Sequence, residues 1–130
     1  VGLYQTTVKE MYEFYQKPQF CGNRSDVRWA ALSGDNGKGV VFVASDRMDF
    51  RASEYTETEM ASKKYPCDLV KDGKVVVSVN YGSTGLGGGS CGPATLEQYR
   101  LKPGQYKFRY RIQPYDGTVD ASVCQRFEMP

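Results

Sequence analysis

The 130 residues include no histidine. That excludes serine and cysteine catalysis resting on an imidazole base, and it excludes histidine-ligated zinc. Long apolar runs are missing too. The longest aliphatic–aromatic stretch is Val40-Val41-Phe42-Val43-Ala44, far short of the ~18 consecutive apolar residues that a membrane-spanning helix needs. Charge of one sign is scarce: 17 Lys and Arg against 15 Asp and Glu leave +2, too little to draw the chain as a whole to nucleic acid or an anionic membrane. Neither is expected as a partner. The cysteines Cys21, Cys67, Cys91 and Cys124 contain no C-x-x-C pair, which argues against a zinc site or a thioredoxin-like motif. With 40% hydrophobic residues the chain can build a core without cross-links, so free thiols are expected. The opening Val1-Gly2-Leu3-Tyr4 has no initiator methionine and reads as a strand already under way, as in a cut or processed piece.

What the chain does carry is strand pattern. Tyr106, Phe108, Tyr110 and Ile112 alternate with Lys107, Arg109, Arg111 and Gln113, which predicts a strand with four large apolar side chains on one face and the polar ones on the other. Val75, Val77, Val79 and Tyr81 repeat the device, and further strands are expected over 26–32, around an inward Trp29, and over 40–44. Asn36-Gly37 between those two predicts a hairpin connection. Lys71-Asp72-Gly73-Lys74 predicts a second, and Lys102-Pro103-Gly104-Gln105 a type II turn with glycine in the left-handed position. Thr56-Glu57-Thr58-Glu59 is a capping-box pattern opening one short helix, with Lys63 and Lys64 in its last turn and Pro66 as its stop. Tyr12, Phe14 and Tyr15 suit a half-buried sheet surface, and Val119 to Phe127 a last strand. The fold expected is all-β, an antiparallel β-sandwich with one short helix, as a single domain over residues 1–130.

The glycine-rich stretch from Gly82 to Gly92 is the most unusual feature. Gly87, Gly89 and Gly92 formally satisfy a dinucleotide-binding spacing, but neither a following helix nor an acid about twenty residues on is present. Two readings stay open: an irregular structural loop, or a site-lining loop whose bare backbone lets a ligand come close. The acid pairs Glu54 with Glu57, Glu57 with Glu59 and Asp46 with Asp49 read as solvated acids on turns and helix rather than as a hydrolytic dyad. Arg100, Lys102, Lys107, Arg109 and Arg111 read as a solvated or interdomain face, since alternation separates them from the aromatic side chains.

Three segments occur in order: Gly22-Asn23-Arg24-Ser25-Asp26-Val27-Arg28-Trp29; Gly85-Leu86-Gly87-Gly88 through Ser90-Cys91-Gly92-Pro93; and Leu101-Lys102-Pro103-Gly104-Gln105-Tyr106. Together they resemble the C-terminal, small-chain-like domain of lacZ-type β-galactosidases of glycoside hydrolase family 2. Val1-Gly2-Leu3-Tyr4 and Tyr15-Gln16-Lys17-Pro18-Gln19 are similar to the family segment just before. The resemblance covers about residues 1–113 and leaves the tail unplaced. It implies the later portion of a galactose-mutarotase-like supersandwich, without catalytic residues of its own, beside a barrel domain that carries both glutamates. It also implies a parent homo-oligomer that hydrolyses terminal β-galactosides with retention, and magnesium and sodium whose ligands lie elsewhere, so that this chain holds no cofactor.

By the same resemblance the loop of Gly85, Gly87, Gly88, Gly89 and Gly92 lines the edge of the active site, and Ser90 and Cys91 face substrate. Where well-known members offer a tryptophan that stacks on sugar, this sequence has Cys91. A thiol has no comparable flat apolar face, so an altered or roomier acceptor site is expected. The alternatives are an autonomous carbohydrate-binding module and a purely structural or interface module.

Overall fold

The structure, a computed structural model, describes residues 2–85 and 92–118. Its strands are β1 (Arg24–Ser33), β2 (Gly39–Ser53), β3 (Val76–Asn80) and β4 (Tyr110–Tyr115), joined by one α-helix, α1 (Glu57–Ser62), and three single 3₁₀ turns. The strands form one open four-stranded sheet with β1, β2 and β3 side by side and β4 also paired to β2, antiparallel. The class is all-β with one short helix, as expected. A second sandwich layer is not among the described residues. Compactness divides the chain into a unit of 1–24 with 50–79 and a unit of 25–49 with 80–130.

In the second unit, β1 and β2 meet through the predicted hairpin. Gly34 N–H donates to the Lys38 carbonyl (3.0 Å), Lys38 N–H donates to Asn36 Oδ1 (3.0 Å), and Gly37 sits at φ 74°. The connection closes only because residue 39 is glycine: a Cβ there would lie 1.9 Å from the Leu32 carbonyl oxygen. The run Val41–Ala44 is buried on both faces, as an apolar stretch without alternation demands. Trp29 is half-buried rather than a core residue: β1 lies at the end of the β1–β2–β3 order and, among the described residues, has a strand neighbour on one side.

The expected aromatic strand is shifted, and its polar face is the more covered one. It starts at Tyr110, and its pairing sets Val43 opposite Arg111, Val41 opposite Gln113, and Phe42 opposite Ile112. Cross-strand partners share a face. Arg111 and Gln113 therefore lie beside Val41 and Val43, while Tyr110 and Ile112 face outward at 42% and 54% exposure. The apolar side chains are the uncovered ones. Tyr106 and Phe108 lie outside the strand; Phe108 packs against Tyr110 in it (5.3 Å between centroids), and Tyr106 meets Tyr81, just past β3, at 4.8 Å. Gly104 is not in the left-handed region, so the type II turn is absent; there the Tyr106 hydroxyl donates to the Lys102 carbonyl. Arg100 and Lys102 both pair with Glu97 (3.4 and 3.1 Å), which breaks up the basic stripe.

The first unit is organised by Arg51, fully buried in β2. Its Nε donates to the Cys21 carbonyl (2.7 Å), Nη2 reaches Met60 Sδ (3.7 Å), and the guanidinium lies 4.4 Å from the Phe20 ring centroid. Burial pushes its pKa down from the usual guanidinium range, with Glu57 at 3.8 Å opposing. The chain reaches Cys21 through Gly22 at φ 76°, where a Cβ would lie 2.2 Å from the Met11 carbonyl oxygen. In α1 the cap is as expected: Thr56 Oγ1 accepts from Glu59 N–H (3.0 Å). Glu59 does not reach back. It accepts from Val70 N–H (2.9 Å) and pairs with Lys63 (3.5 Å). The helix stops at Ser62, which leaves Lys63 and Lys64 beyond it.

Gly73 has φ 79° and turns the chain, but residues 69–70 form no strand, so the Asp72-Gly73 turn closes no hairpin. Residues 2–23 are not a strand either; their one regular element is the 3₁₀ turn Lys9–Met11, and Phe14 is 76% exposed. Cys21 is a buried free thiol and Cys67 an exposed one. Cys124 and the tail strand proposed over 119–127 lie outside the described residues.

Candidate functional site

The glycine-rich stretch leaves β3 at Asn80, and its two ends are tied together within the second unit. Gly85, at φ 67°, donates from its N–H to Ser83 Oγ (3.3 Å), and its carbonyl accepts from Thr95 Oγ1 (3.4 Å). Thr84 Oγ1 accepts from Leu101 N–H (3.0 Å). Hydroxyls here do the work of a ladder, satisfying backbone groups that no strand partner reaches. Of the residues expected to line a site, Gly85 therefore forms part of an ordered root and Gly92 is exposed. Gly87, Gly88, Gly89, Ser90 and Cys91 lie outside the described residues.

Beside this root lies a cavity of about 460 Å³, lined by Asp26, Asp46, Arg47, Asp49, Ser83, Thr84, Tyr81 and Tyr99 among others. The volume is within the range of small-molecule sites. Asp26 accepts from Arg47 Nη1 at 3.0 Å, and that hydrogen bond raises the Arg47 pKa. Asp26 is also the one non-glycine residue at positive φ among those described, at 59°. Such strain occurs at functional sites more often than elsewhere.

Asp49 is 6% exposed, so the expectation of solvated acids on turns and helix fails for it: Asp46 and Asp49 both belong to β2, and both reach this cavity. Carboxylates, one guanidinium, hydroxyls and two phenols can exchange hydrogen bonds with a polyhydroxylated ligand and present ring faces to its C–H groups. Among the described residues, no group of three or more His, Cys, Asp or Glu could hold a metal ion. Sequence reading singled out the Asp46–Asp49 pair but not Asp26, Ser83 or Tyr99. The signal for Ser83 is the glycine stretch it belongs to; Asp26 is brought in by β1, and Tyr99 by the return of the chain through the 3₁₀ turn Glu97–Tyr99.

A family model described as "Beta galactosidase small chain" matches residues 1–112. The chain is similar to the β-galactosidase of Actinobacillus pleuropneumoniae, 34% identical over 120 residues, which are 92% of this chain and 11% of that protein. It is similar to that of Priestia megaterium, 34% identical over 88 residues (68% of this chain, 8% of the relative). The β-galactosidase of Kluyveromyces lactis is 33% identical over 114 residues (85% and 11%). The chain thus spans about a tenth of the length of these curated relatives.

Proposed function

The chain belongs to the β-galactosidase small-chain family, and from that premise we propose that it is the non-catalytic C-terminal wall of a larger retaining β-galactosidase. The loop of Gly85 to Gly92 stands at the edge of the galactoside site, with Ser90 and Cys91 toward substrate. The glutamates of the reaction, and the magnesium and sodium sites, belong to the rest of that enzyme. The observation that carries this reading is the exposure of the apolar side chains Tyr110 and Ile112 on β4, beside the Tyr81–Tyr106 ring contact. A free-standing module covers such a row or spends it on ligand; a piece of a supersandwich leaves it for the facing sheet. The chemistry is then retaining glycoside hydrolysis, in which two carboxyl groups about 5–5.5 Å apart act from another domain. This chain's part is to shape the acceptor side and to exclude water.

A chromogenic β-galactoside tests the division of roles. The purified 130-residue chain is expected to be inactive, and the intact enzyme active. Replacing Cys91 by Trp in the intact enzyme is expected to change kinetics toward sugar acceptors; unchanged acceptor kinetics would leave only a buttressing role. One observation favours a second reading, a hydrolytic cavity within this chain: Asp26, Asp46 and Asp49 line one cavity. Turnover by the isolated chain that vanishes in Asp49→Asn would establish that reading in place of the first.

A further inference from the structure

In the first unit, Phe14, Tyr65, Pro66 and Cys67 line a mostly apolar hollow of about 630 Å³, with Lys17 and Lys64 on its border. Three lysines of this unit have carboxylate partners, Lys63 with Glu59 (3.5 Å), Lys71 with Glu54 and Lys74 with Asp72 (3.7 Å), and Lys9, away from the hollow, has none among the described residues. Lys17 and Lys64 have none among the described residues. Lys64 instead sits 5.2 Å from the Tyr65 ring centroid, and the nearby Asp68 accepts from the Cys67 thiol (3.8 Å). A carbon-lined depression bordered by two cations without counter-charges is complementary to an apolar side chain flanked by carboxylates. An anion without apolar surface would leave the hollow empty. An apolar anchor without acids would leave both ammonium groups facing a low-dielectric cover.

We propose that this hollow receives an acidic segment with an apolar anchor, supplied by the remainder of the same enzyme. The inference rests on the reading of this chain as one wall of that enzyme. It adds a second docking point, on a unit that the glycine loop does not belong to.

Cys67 reports the occupant, because its thiol is exposed at the hollow. Alkylation of Cys67 by uncharged iodoacetamide, followed by peptide mapping, is compared in the isolated chain and in the intact enzyme. The expected result is alkylation about tenfold slower in the intact enzyme, as a cover closed about nine-tenths of the time gives. The protection should weaken from 0.05 to about 0.5 M salt, as exposed charge pairs do, and should be lost in Lys17→Glu with Lys64→Glu. Should that double variant fail to assemble, Lys17→Gln with Lys64→Gln keeps the test open and is expected to lose the salt dependence. Equal reactivity of Cys67 in an active intact enzyme overturns the proposal while leaving the proposed function standing. Protection indifferent to salt and to both variants overturns it too, since the cover would then not be acidic. An inactive intact enzyme sinks the proposed function instead.

Discussion

In the unit of residues 1–24 and 50–79 the largest fully buried side chain is a guanidinium, Arg51, whereas in that of 25–49 and 80–130 the buried side chains are mainly Val41, Phe42, Val43, Ala44 and Met48. The first unit has few regular elements, and one charge gathers a carbonyl, a sulfur and a ring around itself. The second has a strong aliphatic strand but leaves Tyr110 and Ile112 beside it uncovered. A buried charge tolerates little change because each partner answers to it. An uncovered apolar face tolerates substitution until its missing neighbour arrives. The units should therefore differ in how they respond to mutation.

The largest effect is expected from Arg51→Ala. It leaves a cavity and an unpaired Cys21 carbonyl, and should destabilise the chain by about 3–5 kcal/mol in urea unfolding. A loss below about 1 kcal/mol, the size of an ordinary surface change, would remove the guanidinium as the organiser of the first unit. Gly22→Ala comes next, at about 2–3 kcal/mol, since it combines positive φ with overlap on the Met11 carbonyl. Circular dichroism melts that match the unaltered chain would contradict the close approach. Tyr110→Lys with Ile112→Lys sharpens the contrast. In the isolated chain the change should stay within about 1 kcal/mol and reduce dye binding and self-association, whereas in the intact enzyme it should cost about 2–4 kcal/mol or prevent assembly.

Thr56→Ala removes the α1 cap, with about 1 kcal/mol expected and hydrogen exchange confined to the helix as the readout. The smallest effect concerns the turn Lys9–Met11. There Glu10 accepts from Thr7 N–H (3.0 Å), and Thr7 Oγ1 accepts in return from Glu10 N–H (3.2 Å). The Thr7 amide first, and then the Thr6 hydroxyl (3.1 Å), hold the Glu10 carboxyl below its usual value of 4.5. A depressed carboxyl stabilises the turn above that value and loses its contribution as pH falls through the folded-state pKa. The Thr7 amide resonance should therefore move in acid, and a flat titration would refute the reciprocal cap.

That reciprocal cap went unread in the sequence although Thr7-x-x-Glu10 spells it, because no apolar helical period follows. At Thr56 the same spelling was read, and half of it formed: Glu59 found better partners in Val70 N–H and Lys63. The hairpin around Asn36-Gly37 was legible because its hydrogen bonds close within a few residues. The candidate site was legible only at its root. Gly85 follows from glycine content, whereas Asp26, Asp49 and Tyr99 come together through sheet pairing and chain return. Arg51 was invisible: in a sequence, a buried arginine looks like a surface one until its partners are assembled.

By itself the sequence determined the class, the family and the places where the chain bends. Alternation, turn residues and ordered motifs act over short separations, and tertiary contacts seldom override them. Only the tertiary structure decided which face of β4 is covered, which of the acids lose water, and which cation becomes a core. A two-residue period defines two faces without naming the inner one. That choice is made by the register against β2 and by whatever else packs there, and neither is written in the strand that obeys it.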